Sequence, residues 1–264
     1  MKQTKGTFKR ECGVSETVGF IIIFGIVMTG IGLVTLYGYP ALLQQQAEAN
    51  VKNMQKTMIV LQTDLNSLTF KNVPYQETAI QVAGGTLSVK KVPNSQPYFK
   101  VWNVTDGDLT PDIQPGKLRF IADDGSTIIA LENGAVITRY PGITGSYMNA
   151  EPRWFFDQTT KTFVITLIRI VGEQDFGQTG IGTIKIRLDD TNEEIYSVDS
   201  GDPPRISYNI DVNDDFSTAW ELYFQKPELG LIDEGSTHFV LNYKLDPSVE
   251  KLVIKTVDIT VLSL

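Results

Sequence analysis

Few side chains in this chain have the type and spacing that chemistry needs. There is one cysteine, Cys12, and one histidine, His238. A disulfide within the chain is therefore impossible, and so is a zinc site of four Cys/His ligands. A serine–histidine–acid relay would have to use His238, which lies in a stretch that reads as a strand (Ser-Thr-His-Phe-Val-Leu, 236–241). A structural or surface role fits it better than that of a base. Asp211-Val-Asn-Asp-Asp215 alternates oxygen ligands as a calcium loop does. Phe216, however, stands where the sharp-turn glycine belongs, and no glutamate occupies the twelfth position. Asp123-Asp124 and Asp189-Asp190 read as turn acids. Carboxylate pairs for glycoside hydrolysis exist in any acidic domain, but no spacing here selects one pair. The run Gly177-Gln-Thr-Gly180-Ile-Gly182 reads as a turn between strands rather than a phosphate loop. No catalytic residue, metal or cofactor is expected, and the chain is not expected to be an enzyme. Asn103-Val104-Thr105 is a sequon, an acceptor for glycan if it lies outside the cell.

The elements that would position these residues divide sharply along the chain. Cys12 to Leu43 reads CGVSETVGFIIIFGIVMTGIGLVTLYGYPALL, and no charged side chain occurs between Glu16 and Glu48. About 20 such residues cross a bilayer as a helix. Lys2, Lys5, Lys9 and Arg10 precede the run, and the next basic residue after it is Lys52. The positive-inside rule then keeps the amino terminus cytoplasmic and puts the large carboxyl-terminal part outside. Tyr37-Gly38-Tyr39-Pro40 makes a poor secretory cleavage site, so a retained anchor is expected. Cys12 precedes the apolar run, the wrong order for a lipoprotein signal. Pro40 is expected to kink or end the first helical segment.

The net charge is −8 and the isoelectric point about 4.8. That balance excludes the basic surface a nucleic-acid partner requires. With about 40 to 45 of the 264 residues in tail and span, the remainder suffices for one ordinary globular domain.

The junction before the apolar run, Lys9-Arg10-Glu11-Cys12-Gly13-Val14-Ser15-Glu16-Thr17-Val18-Gly19, resembles the class III signal of archaeal type IV pilins and archaellin-like proteins. The resemblance covers about twenty-five residues. It implies that a prepilin peptidase cuts between Gly13 and Val14, before the apolar segment, which survives as the mature amino-terminal helix. In bacterial pilins a glutamate at the fifth mature position is proposed to pair with a neighbour's terminal amine, whereas Glu16 would stand third. Two roles stay open for this residue: such pairing, or a place with Ser15 at the helix start, where Ser15 caps and Glu16 favours the positive end. Gly19, Gly25, Gly30, Gly32 and Gly38 would let helices approach closely in lipid, in a filament or an oligomer, although glycine is also frequent in single spans.

Beyond Pro40, the residues Ala47, Val51, Met54, Met58, Leu61, Leu65 and Leu68 recur at spacings of four and three, one stripe of an amphipathic helix. Its partner is either the same helix of a neighbouring copy or the protein's own domain. After Pro74 the period changes to two. Thr78–Val82 and Thr86–Val89 flank Gly84-Gly85 as a hairpin. Lys117 to Arg139, with turns at Asp124-Gly125 and Asn133-Gly134, reads as a meander. Further strands are expected at 98–105, 163–171, 182–188, 194–198, 205–212, 237–243 and 252–262. Ser217–Gln225 reads as a helix capped by Asp215 or Ser217, with Trp220 and Phe224 on a core face. The phrases ALENGAVITRYPG, AEPRWFF, LIRIVG and AWELYF are similar to an uncharacterised family of archaeal membrane proteins. That resemblance brings no catalytic residue with it.

The expected class is α+β: a long amino-terminal transmembrane and amphipathic helix followed by a mainly antiparallel, β-sandwich-like domain. The expected partition is a basic leader at 1–13, a transmembrane helix at 14–43, an amphipathic helix or stalk at 44–72 and an extracellular β-rich domain at 73–264. The expected function is that of a single-pass cell-envelope protein, a pilin-like subunit serving assembly or surface contact. Its partners would be the lipid bilayer and, through the amino-terminal helix, further copies of itself. The alternative is a solitary single-span protein whose β domain binds a sugar, a peptide or an envelope partner.

Overall fold

The computed structural model describes residues 16–142, 145–212, 216–237 and 239–264. The expected cleavage junction at Gly13, Val14 and Ser15 lies outside the described residues, as do Cys12, Asn213 to Asp215 and His238. Residues 1–49 and 50–264 belong to two compact units.

Helix α1 spans Glu16–Leu33, and none of its side chains is buried. A π-helical turn, Val34–Gly38, leads into α2, Tyr39–Lys71. Of the two outcomes expected at Pro40, a kink or an end, the helix does not end there. A proline has no N–H to give and its ring clashes with the carbonyl four residues back. The preceding turn widens instead: the Tyr39 N–H bonds to the Val34 carbonyl, five residues away. Such a π turn lets the chain continue past the proline.

Fourteen strands follow among the described residues: β1 Tyr75–Val89, β2 Tyr98–Asn103, β3 Gly107–Asp108, β4 Leu118–Ala122, β5 Ile128–Glu132, β6 Ala135–Arg139, β7 Ser146–Ala150, β8 Phe155–Asp157, β9 Thr162–Gly172, β10 Phe176–Ser197, β11 Arg205–Asn209, β12 Leu231–Asp233, β13 Val240–Leu245 and β14 Lys251–Ser263. Helix α3, Ser217–Phe224, interrupts them. Nine strands form one sheet in the order β7-β6-β5-β4-β1-β10-β14-β9-β8, and five form a second in the order β12-β13-β11-β2-β3. Pairing is antiparallel except between β14 and β9.

The large sheet is covered on both faces, and the alternation of its residues shows how. In β5, Ile128 and Ala130 join a core with Phe99, Val101, Ile206, Tyr208, Leu241 and Tyr243 of the second sheet. Ile129 and Leu131, pointing the other way, join a core with Met54, Met58, Leu61, Leu65 and Leu68 of α2. β9 and β14 divide their side chains the same way. The stripe read from the spacing of α2 thus packs on the protein's own sheet. Burial on both faces explains why β5 reads as a continuous apolar run rather than an alternating one.

The meander β4–β5–β6 forms with its turns as expected. Four local expectations fail. Gly84-Gly85 does not turn a hairpin but bulges a single long strand, β1, which pairs with β10 along one edge and with β4 along the other. Gly84 has φ +68°, and a Cβ on Gly85 would fall 2.3 Å from the Ile121 carbonyl oxygen, so glycines are needed for the bulge. The Gly177–Gly182 run and Asp189-Asp190 both lie inside the long strand β10 rather than in turns. Pairing with β1 and β14 overrides the local turn preference, and Asp189 is satisfied there by Arg187 and Thr260. At α3 the capping position is held by Phe216, with no side-chain cap, and Ser217 lies inside the helix. Trp220 and Phe224 are fully buried, as their spacing predicts; tertiary packing of this aromatic face holds the short helix in place of a cap.

Candidate functional site

Strand register brings one charged group into the core between the sheets. Leu118 pairs with Leu131, so the next positions outward, Lys117 and Glu132, stand opposite each other on the face that meets the second sheet. Gly116 sets the approach to Lys117: its φ is +58°, and a Cβ there would lie 2.0 Å from the Ile170 carbonyl oxygen. On the far side of β5, the turn at Asn133 and Gly134 has both residues at positive φ, and the Asn133 Oδ1 accepts from the Ile168 N–H at 2.7 Å. Asp211 arrives from the second sheet, two residues after β11, beyond Ile210, whose N–H bonds to the Phe239 carbonyl at 3.0 Å.

The three side chains meet in near-complete burial. Lys117 Nζ lies 3.5 Å from Asp211 Oδ2 and 3.9 Å from Glu132 Oε2; the side chains are 13%, 4% and 0% exposed respectively. Glu132 Oε1 accepts hydrogen bonds from Tyr208 Oη at 3.1 Å and Trp220 Nε1 at 3.2 Å. These two donors turn the other carboxylate oxygen toward the ammonium. The Phe216 ring closes the pocket, its centroid 5.2 Å from Lys117 Nζ.

The cluster lines a cleft of about 630 Å³, together with Ser88, Lys90, Gln96 and Arg119. Its chemical means are one ammonium between two fixed carboxylates, further cationic groups nearby, and amide and hydroxyl hydrogen-bonding groups. Such an arrangement can hold a small polar ligand or move a proton between neighbouring groups. Among the described residues, no group of three or more His, Cys, Asp or Glu side chains is placed to hold a metal ion.

The residues singled out from the sequence fall elsewhere. Glu16 begins α1 and is exposed. Asn103 ends β2 at its turn toward β3; its Nδ2 donates to Asp106 Oδ2 at 2.9 Å and its Oδ1 accepts from the Asp106 N–H at 2.7 Å. Asp124 accepts from the Ser126 N–H at 2.9 Å, and the hydrogen bonds from Ser126 hold its carboxyl below the usual range. The acids of the first pair, Asp123 and Asp124, thus do occupy a turn. Asp211, the first residue of the calcium-like run, lies beside Lys117. Lys117 and Glu132 were missed. The signal available for Glu132 was its parity: in Ile128-Ile-Ala-Leu-Glu132 it shares the face of Ile128 and Ala130.

The fold and the site define a class: a chain with one apolar amino-terminal helix long enough to cross a membrane, joined to an α+β unit with a buried ionic cluster between its sheets. The chain belongs to a family of unknown function (DUF7289), whose model matches residues 12–261. It is also similar to an uncharacterized protein of Archaeoglobus fulgidus, 24% identical in an alignment 257 positions long, which covers 81% of this chain and 83% of that protein. No solved structure matches it. Family membership and an archaeal relative agree with the likeness to an uncharacterised archaeal family.

Proposed function

We propose that the protein is a non-enzymatic subunit of the cell envelope, held in the membrane by α1, with its β-rich unit outside and its amino-terminal helix available for pilin-like assembly. The observation that carries this reading is the bare apolar surface of α1. Phe20, Ile21, Ile23 and Ile26 are each more than 60% exposed within the chain. At about 25 cal/mol per Å² of apolar surface, water is a poor solvent for such a helix; lipid or further copies of α1 cover it. Among the described residues, a Cβ added at Gly25, Gly30 or Gly32 would meet nothing within 4 Å, which leaves room for a neighbouring helix. The basic residues before the span favour the outward orientation of the large unit, and there Asn103 becomes a glycan acceptor.

Amino-terminal sequencing of the protein purified from its own membranes tests the reading. A mature chain beginning at Val14 is expected, as prepilin processing requires. An intact Met1, or a start beyond Tyr39, would overturn it. The cleft favours a second reading, a solitary anchor whose outer unit binds a small polar ligand such as a sugar or peptide terminus.

A further inference from the structure

We propose that Lys117 and Asp211 become joined by an isopeptide bond formed within the folded domain, with Glu132 carrying the proton. The amine and the carboxyl group are already neighbours, Nζ standing 3.5 Å from Asp211 Oδ2. The bond forms at Asp211 Cγ, one bond from that oxygen, so the amine and the carbon it must reach start as close neighbours, the condition under which oriented groups react with high effective concentration. Both backbones are fixed. Lys117 follows Gly116, which is pressed against the Ile170 carbonyl, and Asp211 follows a residue hydrogen-bonded to the Phe239 carbonyl.

The surroundings suit amide formation rather than hydrolysis. Phe216, Tyr208 and Trp220 are fully buried, and the Asp211 and Glu132 side chains are 4% and 0% exposed although they line the cleft, so little water reaches them. Glu132 is held by two aromatic donors through one oxygen and presents the other to Lys117 at 3.9 Å. A closure of about 1 Å brings that oxygen to the hydrogen-bond distance at which a general acid–base works.

The reaction balances without any added reagent. Proton transfer from the ammonium to the Asp211 carboxylate gives an amine and a carboxylic acid. Lys117 Nζ then adds to Asp211 Cγ. Glu132 takes the proton released by the nitrogen and delivers it to the departing hydroxyl. A C–N bond forms, a C–O bond breaks, and one water leaves through the adjoining cleft. The event occurs once per chain, with no turnover, and the new bond ties the start of β4 in the large sheet to the end of β11 in the small one.

The test is peptide mapping of the full-length protein extracted from membranes in detergent, unfolded, freed of glycan and digested with trypsin. The expected result is a branched pair of peptides, one containing Lys117 and the other Asp211, lighter than their sum by the mass of one water and uncut after Lys117. Only separate linear peptides, with cleavage after Lys117, would overturn the proposal and leave an ordinary buried ion cluster. Lys117→Arg and Glu132→Gln are each expected to abolish the branched pair. Its persistence in Glu132→Gln would overturn the part assigned to Glu132. Should either variant fail to fold, the wild-type map still decides whether the bond exists.

Discussion

At the scale of single residues, charge pairs in this protein fall into two regimes. Lys117, Glu132 and Asp211 are buried as a set; breaking such a set by removing one partner typically costs about 3–5 kcal/mol, because a charge stays behind in a poor solvent. Arg205 is itself 16% exposed, but its acid partners Asp202 and Glu234 are 16% and 34% exposed and so far more open to solvent than Glu132 and Asp211. The Arg205 guanidinium lies over the Trp102 ring at 5.1 Å, donates to Asp202 Oδ1 at 2.9 Å, and grips Glu234 through two nitrogens. The hydrogen bonds from Arg205 hold the Glu234 carboxyl below the usual glutamate range, against the opposing effect of burial, and Lys244 adds to the lowering. Since the folded value lies below the unfolded one of roughly 4.3, this contribution is complete above that pH and is lost as pH falls through the folded value. The Glu234 side chain is 34% exposed, so the pair contributes less than about 1 kcal/mol at neutral pH. Thermal melts from neutral to acid pH should show a shallower acid decline for Glu234→Gln than for wild type. Superimposable acid limbs would rule the linkage out.

At the scale of elements, α2 shows what a sequence period can and cannot convey. The stripe from Met54 to Leu68 was legible because buried helical residues must recur every three or four positions. What it packs against was not, since a sheet and a neighbouring helix present the same apolar surface to it. The structure puts the stripe on the nine-stranded sheet. Leu65→Ala is therefore expected to destabilise the folded unit by about 2–5 kcal/mol. Val60→Ala, on the solvent face, should change it by less than about 0.5 kcal/mol. Denaturant unfolding of both variants checks this, and equal effects would place the stripe elsewhere. The long strands were less legible than the helix. Asp189-Asp190 and the Gly177–Gly182 run carry turn composition, yet both lie in β10, where β1 and β14 supply distant hydrogen-bonding partners.

At the scale of the whole molecule, the two readings of the function part company over the apolar helix. If α1 packs against copies of itself, Gly30 and Gly32 are where the helices come close, and a side chain fits badly there. Replacing both with leucine should then shift the detergent-solubilised protein from oligomer to monomer, read by light scattering. A wild-type protein already monomeric in detergent, and unchanged by the substitutions, would favour the solitary anchor with its cleft as the working surface.

By itself, the amino-acid sequence determined the apolar span, the amphipathic stripe, the meander through Asn133-Gly134 and the α+β class. These depend on local period and on turn chemistry, which neighbouring residues carry between them. The π turn that absorbs Pro40 is local but carries no sequence pattern of its own; tertiary structure alone decided that β1 and β10 each run as one long strand and that Lys117, Glu132 and Asp211 converge. The last follows from strand register and from the packing of one sheet on another. Lys117 and Asp211 stand on different sheets, far apart along the chain, and no local pattern records that the fold closes the distance to 3.5 Å.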